Sequence, residues 1–408
     1  MTAWPRRRVA DLIDGLTAGV SVRSTTAAAR GPAVLKTSAI DAGLFDPNES
    51  KAILPADLPR ARCPVAADSL IVSRMNTPAM VGDVGYVAEA HEDIFLPDRL
   101  WLARAKRRSG TDMRWLTYYF ASEPGARELR GLATGTSGSM KNIPKKRVLN
   151  LEIHVPPAPE QRAIARTLAD ADDLIVTLER LIAKKQAIKQ GMMQQLLTGR
   201  ARLPGFYREW ELSPLGSRAA GLRGSGLSKS MLNSAGKNEC VLYGELFTTY
   251  GRRIERVVSR TNVDGGVRSQ VGDVLVPGST TTVARDLATA SAMYVDGALI
   301  GGDTNIVRPR AGIDSDWLSH YITHELGDRV AEVAQGTTIK HLYVRDLLRC
   351  QLPVPEIAEQ RSIANVLLDA EREISLVKAR LEKARIIKIG MMQQLLTGRT
   401  RLPLEATS

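Results

Sequence analysis

A ten-residue stretch of this chain occurs twice. Gly191 to Arg200 returns letter for letter at Gly390 to Arg399, a shift of 199 residues. Around it, segments 151–204 and 350–403 align without a gap and are identical at 27 of 54 positions. Chance does not produce such a match, and an internal repeat constrains the fold more than any local propensity. We therefore predict a duplicated architecture with a pseudo-two-fold internal repeat.

Each repeated segment carries the pattern of a long helix. Apolar or small residues recur in steps of four and three, the 3.5-residue period of a coiled-coil seam. Glycines at 199 and 398 supply the stops. A helix of about 40 residues spans roughly 55–60 Å, which is too long for a small domain, so we predict that the two helices pair. The predicted seam is Ile164, Leu168, Ala171, Ile175, Leu178, Ile182, Ile188, Met192 and Leu196, repeated by Ile363, Leu367, Ala370, Ile374, Val377, Leu381, Ala384, Ile387, Met391 and Leu395.

The globular segments before the helices resemble each other more faintly. Short apolar runs at 34–36 and 69–72 predict strands, 113–120 predicts a short helix and 149–155 predicts a final strand. Landmarks such as Trp115 and Trp317 recur at shifts of 199 to 207 residues. The sequence thus predicts an α+β or α/β fold. Its predicted segments are two globular domains, 1–155 and 205–354, and two helical regions, 156–204 and 355–408.

The charge balance favours a polyanionic partner. The net charge is +12 and the pI is about 9.7, which is typical of nucleic-acid binding, although a solvated basic surface gives the same sum. Residues 1–150 carry 22 basic and 15 acidic residues, a net +7, whereas residues 206–349 carry 17 and 16, a net +1. We expect the second domain to bind DNA more weakly on its own.

Several classes of protein are disfavoured. Neither a signal peptide nor an apolar run of membrane-spanning length is found, so we expect a cytoplasmic protein. Three scattered cysteines argue against a disulfide framework. Phosphate-binding loops, dinucleotide-binding loops and an adenine methyltransferase motif are not found. His320 and His324 lie four apart on one predicted helix face, but without a third ligand we interpret them as packing or surface residues rather than a metal site.

Two polar segments in each domain carry suitable chemistry for DNA. Ser73 to Thr77 and Gly278 to Thr282 follow strands. Arginine can pair with guanine and asparagine with adenine, although a capped strand-end turn would look the same. Residues 136–142 and 336–341 are small and polar with one lysine each, which suits phosphate contact or a flexible surface loop. The candidate DNA-contacting residues are Lys36, Arg74, Asn76, Thr77, Ser139, Lys141, Asn142, Ser279, Thr280, Thr281, Thr338, Lys340 and His341.

Strict identity of the ten-residue repeat, while the domains drift, fits a surface offered to two identical partner subunits. Burial of its methionines in the core is the alternative. The candidate partner-binding residues are Met192, Met193, Gln194, Gln195, Met391, Met392, Gln393 and Gln394.

The combination resembles the specificity subunits of Type I restriction–modification systems, over essentially the whole chain. The stretches that carry the resemblance are Pro156 to Ala165 and Pro355 to Ala364 with the helices that follow them, Leu35 to Ile40, Ser73 to Thr77, and Gly336 to Leu342.

The resemblance implies two target-recognition domains, each recognising one half of a bipartite, asymmetric site in double-stranded DNA. It implies that the two long helices pack antiparallel as a spacer and that two modification subunits dock on the repeated regions. Those subunits bind S-adenosylmethionine and methylate adenine, and an ATP- and Mg²⁺-dependent restriction subunit is an optional further partner. The chain itself is expected to hold no cofactor or metal and not to be an enzyme.

Two other functions stay open from the residues alone. The chain could be the recognition part of a fused methyltransferase and nuclease, although catalytic motifs and extra length are missing. It could also be a coiled-coil scaffold for proteins only. Salt discriminates between binding DNA and binding only proteins, because DNA binding weakens steeply as salt rises.

Overall fold

The computed structural model describes residues 4–25, 31–135 and 140–403. The chain forms two compact units, of which unit 1 comprises residues 1–179 and 379–408 and unit 2 comprises residues 180–378. It passes between the units through two helices of 39 residues each, Ala158–Leu196 and Ile357–Leu395, here called the first and second long helices. Each unit therefore contains one globular part and a portion of both long helices. The domain boundaries given above stay a prediction.

Unit 1 is built on two four-stranded sheets. One has Ser69–Ser73 and Leu100–Arg104 at its centre and is antiparallel throughout. The other contains a parallel pair, Ala33–Leu35 with His91–Phe95. The strands of unit 1 are Arg6–Arg8, Thr17–Ala18, Ala33–Leu35, Ile40–Asp41, Leu44–Phe45, Ser50–Ala52, Pro64–Val65, Ser69–Ser73, Met75–Asn76, Val84–Val87, His91–Phe95, Leu100–Arg104, Lys141–Asn142 and Glu152–His154. The short helices of unit 1 are Val9–Leu12, Met113–Ala121, Glu123–Gly131 and Lys145–Asn150, with 3-10 turns at Thr37–Ala39 and Pro55–Arg60.

Unit 2 repeats this plan with a five-stranded and a three-stranded sheet. Val274–Pro277 lies at the centre of the larger sheet. The strands of unit 2 are Glu211–Pro214, Ala219–Arg223, Asn238–Val241, Arg253–Ile254, Ser259–Thr261, Val274–Pro277, Ser279–Thr280, Ser291–Met293, Leu299–Ile300, Thr304–Pro309, Lys340–His341 and Gln351–Val354. The short helices of unit 2 are Leu215–Arg218, Glu245–Thr248, Ser315–His324, Gly327–Val333 and Val344–Leu348, with 3-10 turns at Lys229–Met231 and Ala284–Ala288. The predicted mixed α and β fold with an internal repeat is confirmed.

The predicted short helix at 113–120 is confirmed as Met113–Ala121. Asp112 caps it by accepting a hydrogen bond from the Trp115 amide at 2.8 Å, as helix N-caps do. Trp115 is fully buried in a core that includes Ile164 of the first long helix and Leu395 of the second. The helix therefore anchors parts of both long helices to unit 1.

The predicted final strand at 149–155 is wrong at its start. Lys145–Asn150 is a short helix that follows Pro144, and only Glu152–His154 is a strand. Val148 turns inward from that helix and is buried. Packing of this one side chain favours a helical turn over an extended start.

The long helices pack antiparallel within each unit. In each unit, ion pairs join residues of the first long helix to residues of the second. From one pair to the next, the residue number increases along the first long helix and decreases along the second, as antiparallel packing requires. Three of the four pairs are joined at 2.7 Å and one at 2.5 Å. They are Asp172–Lys388 and Glu179–Arg385 in unit 1, and Lys185–Glu373 and Lys189–Glu371 in unit 2.

The predicted seam is correct up to Ile182 and wrong at Ile188 and Ile387, whose side chains are 51% and 49% exposed. An α-helix turns about 100° per residue, so seven residues beyond Ile182 bring Lys189 back to the seam. Lys189 lies there with its ammonium on a glutamate, and Met193 follows it as a buried residue. The helix keeps its own 3.6-residue period where the sequence pattern loosens.

Residues shared by the two repeats make the same contacts in the two units. In unit 1 the buried carboxylate of Glu160 accepts hydrogen bonds from Trp4 Nε1 at 3.2 Å and from Arg401. In unit 2, Glu359 accepts from Trp210 Nε1 at 3.0 Å and from Arg202.

The glycine stops are confirmed. Gly199 and Gly398 both have a φ of +70°, a left-handed conformation that ends helices and suits glycine. A Cβ at either position would lie 3.4 Å from a tryptophan ring, that of Trp210 or Trp4. In each unit the glycine of the repeated Leu-Thr-Gly-Arg segment therefore packs against a tryptophan ring. Within the described residues, we find no helix with the length and apolar character to span a membrane.

Candidate nucleic-acid interface

The two polar segments of each unit lie side by side. In unit 1, Met75–Asn76 pairs antiparallel with Lys141–Asn142, and we call this the first ribbon. In unit 2, Ser279–Thr280 pairs antiparallel with Lys340–His341, the second ribbon. The sequence indicated the four segments separately, and the structure joins them into one polar feature per unit.

Each ribbon continues into a hairpin with the same hydrogen bonds. Thr134 and Asn142 exchange backbone hydrogen bonds of 2.8 and 3.0 Å, and Gln335 and His341 exchange bonds of 2.9 and 2.7 Å. The two hairpins are therefore closed by equivalent backbone hydrogen bonds.

A lysine closes each hairpin. Lys141 Nζ donates to the carbonyl of Gly135 at 2.6 Å, and Lys340 Nζ donates to the carbonyl of Gly336 at 2.7 Å. Gly336 has a φ of +104°, and a Cβ there would lie 2.0 Å from the Ile339 carbonyl oxygen. Only glycine fits this position, so the turn that presents Lys340 depends on it.

Three predicted residues in or beside the first ribbon differ in solvent exposure and in side-chain hydrogen bonding. Thr77 is exposed and Arg74 is half-buried. Asn76 Oδ1 accepts from the Thr77 amide at 2.9 Å and its Nδ2 donates to Ser73 Oγ at 3.3 Å. The asparagine side chain caps its own turn, which opposes the bidentate contact with adenine considered from the sequence.

The second ribbon corrects the prediction for two residues. Ser279 and Thr280 are only 4% and 6% exposed, because they form strand pairs rather than a loop. Thr281 and Thr338, by contrast, are exposed, and His341 is half-buried within the ribbon. The exposed polar groups at this ribbon therefore belong to the residues that flank it.

Two further predicted residues belong to unit 1. Asn142 has a buried Oδ1 without a hydrogen-bond partner. Ser139 lies outside the described residues.

A basic groove borders the first ribbon. It has a volume of about 370 Å³ and is lined in part by Lys36, Lys51 and Arg99. The Arg99 carbonyl accepts from the Arg74 amide at 3.0 Å, which joins groove and ribbon. Lys36 Nζ lies 3.3 Å from Glu49, and hydrogen bonds from Ser38 and Lys36 lower the pKa of that carboxyl group. Lys51 and Arg99 were missed from the sequence, since neither belongs to a charge run.

The groove beside the second ribbon has different chemistry. It has a volume of about 670 Å³ and is lined by hydroxyls, by Asp286 and Asp303, and by the aromatic residues Tyr243, Phe247 and Tyr250. Burial raises the pKa of Tyr250 to about 12. The aromatic residues of this groove lie far from the ribbon in sequence, and no sequence pattern predicted that they line it. The two units thus present one basic and one hydroxyl-rich groove.

The predicted partner-binding residues divide by burial. Met193 is 4% exposed and packs in the core of unit 2, so it offers no surface to a partner. Met192, Met391 and Met392 are half-buried against the cores of their units. The four glutamines are exposed; they are Gln194, Gln195, Gln393 and Gln394.

His320 and His324 of unit 2 are packing residues. His320 is fully buried, and its ring lies 6.1 Å from that of His324. Among the described residues no group of three or more metal-ligating side chains is found. The cysteines are free thiols, of which Cys240 and Cys350 are buried and Cys63 is half-buried.

Comparison with known proteins identifies one family. The family model described as "Type I restriction modification DNA specificity domain" matches residues 62–190. Two relatives come from Methanocaldococcus jannaschii. The putative type I restriction enzyme MjaX specificity subunit is 24% identical over 65% of this chain, and the MjaVIII specificity subunit is 22% identical over 66%. The matches span 63% and 67% of those relatives, so the first covers less than two thirds of its length.

Solved structures share the fold over nearly the whole chain. The S subunit of a Type I restriction–modification system from M. genitalium has a TM-score of 0.59 at 16% identity, covering 96% of each chain. The HsdS subunit from Thermoanaerobacter tengcongensis has a TM-score of 0.52 at 18% identity, covering 98% of each.

Proposed function

We propose that this chain, which belongs to the family of Type I restriction–modification specificity subunits, recognises a bipartite sequence in double-stranded DNA. Each unit recognises one half of an asymmetric site. The chain supplies recognition, and methylation and cleavage belong to partner subunits that bind S-adenosylmethionine, ATP and Mg²⁺. Its place of action is the cytoplasm, where bacterial and archaeal DNA lies.

The observation that carries this proposal is the repeated ribbon. Two units present the same hydrogen-bonded backbone at the same place, closed by Lys141 in one and Lys340 in the other. The side chains and grooves around that backbone differ between the units. A duplicated frame with two different polar surfaces suits the reading of two different short sequences, because base edges are distinguished by side-chain donors and acceptors.

Two modification subunits are the proposed protein partners, one for each copy of the repeat. Beside the exposed glutamines of the ten-residue repeat, Ile188 and Ile387 occupy equivalent positions and leave an apolar side chain in water. Equivalent exposed groups on a repeated segment support docking of two identical partners. A restriction subunit is a further proposed partner.

Mapping of methylated adenines across the genome, in cells with and without this gene, tests the proposal. We expect a bipartite motif that loses its methylation when the gene is deleted and regains it when the gene is restored. An unchanged set of methylated sites would contradict the proposal. Salt tests the alternative of a scaffold for proteins only, because DNA binding through phosphate contacts weakens steeply as salt rises, whereas apolar coiled-coil pairing does not.

A further inference from the structure

The two ribbons differ at the residue that immediately precedes the first strand of each. Ile143 donates its amide hydrogen to the carbonyl of Arg74 at 2.9 Å, and Leu342 donates to the carbonyl of Gly278 at 2.9 Å. Arg74 and Gly278 are therefore equivalent residues of the two units. An arginine stands where its counterpart has no side chain at all.

Arg74 is held in place but its charge is not used within the chain. Its amide and carbonyl are both hydrogen-bonded, and its guanidinium lies over the Trp101 indole at 5.5 Å from the ring centroid. Nε is buried and without a hydrogen-bond partner. Within residues 4–25, 31–135 and 140–403, the guanidinium forms no ion pair. The buried Nε cannot reach an acceptor outside the chain, but the two terminal nitrogens have no hydrogen-bond partner among the described residues and can donate to one.

The geometry favours a base over a phosphate as that acceptor. A guanidinium presents a planar fork of donors that matches O6 and N7 of guanine in the major groove. The contact with Trp101 restricts where this fork can lie, which suits a base edge held at a set place in the groove. Phosphates have other cations available, since Lys51 and Arg99 line the neighbouring groove.

Unit 2 has no room for the same contact. A Cβ on Gly278 would lie 2.7 Å from the carbonyl oxygen of Asp303 and 2.9 Å from its carbonyl carbon, both backbone atoms. The Gly278 amide also donates to that oxygen, at 2.5 Å. Close packing against Asp303 thus removes the side chain at this position.

From these contrasts we infer that Arg74 recognises a guanine in the half-site bound by unit 1, and that unit 2 recognises its half-site without an arginine at the equivalent position. This inference rests on the proposed function and adds the base and the residue. It makes the two half-sites chemically unequal in a defined way.

The test uses the full chain assembled with its modification subunits, on duplexes that contain the mapped motif. Each guanine of the motif is replaced in turn by 7-deazaguanine, which lacks the N7 acceptor. We expect one guanine, in one half-site, at which replacement weakens binding by the wild type about tenfold or more. For the Arg74→Ala variant, the same replacement has no further effect.

Two more variants keep the test decisive. Arg74→Lys retains the charge but not the fork, so we expect it to lose the same guanine preference. Arg107→Ala removes an exposed arginine of unit 1 outside the ribbon and should leave that preference intact. Circular dichroism confirms that each variant is folded.

The outcomes separate this inference from the proposed function. If the motif depends on the gene but 7-deazaguanine costs the wild type and Arg74→Ala equally at every position, Arg74 does not recognise guanine and only the inference fails. A motif without guanine in either half overturns it as well. If no motif depends on the gene, the proposed function itself fails.

Discussion

Arg202 donates two hydrogen bonds to the carboxylate of Glu359, at 2.6 and 2.7 Å, although 157 residues separate them in the chain. The carboxylate is buried, and Trp210 donates a third bond to it at 3.0 Å. The end of one repeat thus holds the start of the other within unit 2. Arg401 and Glu160 form the same pair in unit 1.

Arg202→Ala should destabilise unit 2. The change leaves Glu359 charged and buried with a single remaining donor, and breaking a buried pair in this way costs about 3 kcal/mol. Urea unfolding followed by tryptophan fluorescence measures the shift to a lower midpoint. Arg372→Ala, which removes an exposed pair with Asp369, is the matched control and should change the midpoint little. Equal shifts for both variants would contradict the assignment.

Gly336→Ala should open the hairpin of unit 2. A Cβ would meet the Ile339 carbonyl at 2.0 Å while the backbone has a φ of +104°, so the turn cannot keep its conformation. Hydrogen exchange is expected to accelerate at the Gln335 and His341 amides, which close the hairpin. Gly244→Ala is the control, because that glycine has open space and an ordinary φ of −63°. Unchanged protection in Gly336→Ala would refute the strain argument.

Unit 2 should lose stability in mild acid. Burial, followed by the charge of Arg252, lowers the pKa of His324 to about 4 and that of His320 well below its usual value. An unfolded histidine titrates near 6.5, so between these values the unfolded chain binds more protons than the folded chain. Stability from these groups is therefore complete above about pH 6.5 and falls as the pH drops towards 4.

The measurement is hydrogen exchange of unit 2 peptides between pH 7 and 5, corrected for intrinsic exchange rates. His324→Gln should make the loss of protection in acid smaller than in the wild type. Unit 1 peptides, which contain Tyr118 and Ser122 at the corresponding helix positions, should respond identically in both proteins. A variant with the wild-type acid response would show that His324 is not responsible.

Arg99→Ala should lower the salt dependence of DNA binding without changing the motif. Arg99 is exposed and lines the basic groove, and each phosphate contact contributes about one unit to the slope of log K against log salt. Titrations at several salt concentrations measure the slope. Loss of sequence preference instead of slope would mean that Arg99 contacts a base. Arg372→Ala, far along the second long helix, serves as the control with an unchanged slope.

Insertion of four residues before Gly191 should lengthen the gap between the half-sites. Four residues extend a helix by about 6 Å. The spacing between half-sites bound from one face of DNA follows the distance between the domains that bind them. Methylation mapping of the variant gives the new motif directly. The half-site sequences should stay the same, and an unchanged gap would defeat the spacer hypothesis.

Much of the fold follows from local features of the sequence. The long helices were predicted from periodicity, and the stops at Gly199 and Gly398 from the residue that best adopts a positive φ. Periodicity failed at Ile188, where the apolar residue lies off the seam. There a charged residue, Lys189, occupies the seam because an ion pair with Glu371 neutralises it.

The sequence predicted the separate segments of the candidate site but not that they lie side by side. Polar segments after strands marked Arg74 and Lys141, but their union in a ribbon depends on a pairing between residues more than sixty positions apart. The sequence could not show that Ser279 is buried. A serine has the same polar side chain whether it lies in an exposed loop or in a buried strand.

By itself the sequence determined the duplication, the two long helices and the polar character of the segments beside the strands, because repeats, helical period and residue chemistry are local properties. Tertiary structure decided which of those polar groups reach the surface, and it left Arg74 without an ion pair among the described residues. Arg74 lies free over Trp101, while Gly278 is closed against Asp303. Both outcomes depend on which distant backbone lies within a few ångströms, and packing alone sets that distance.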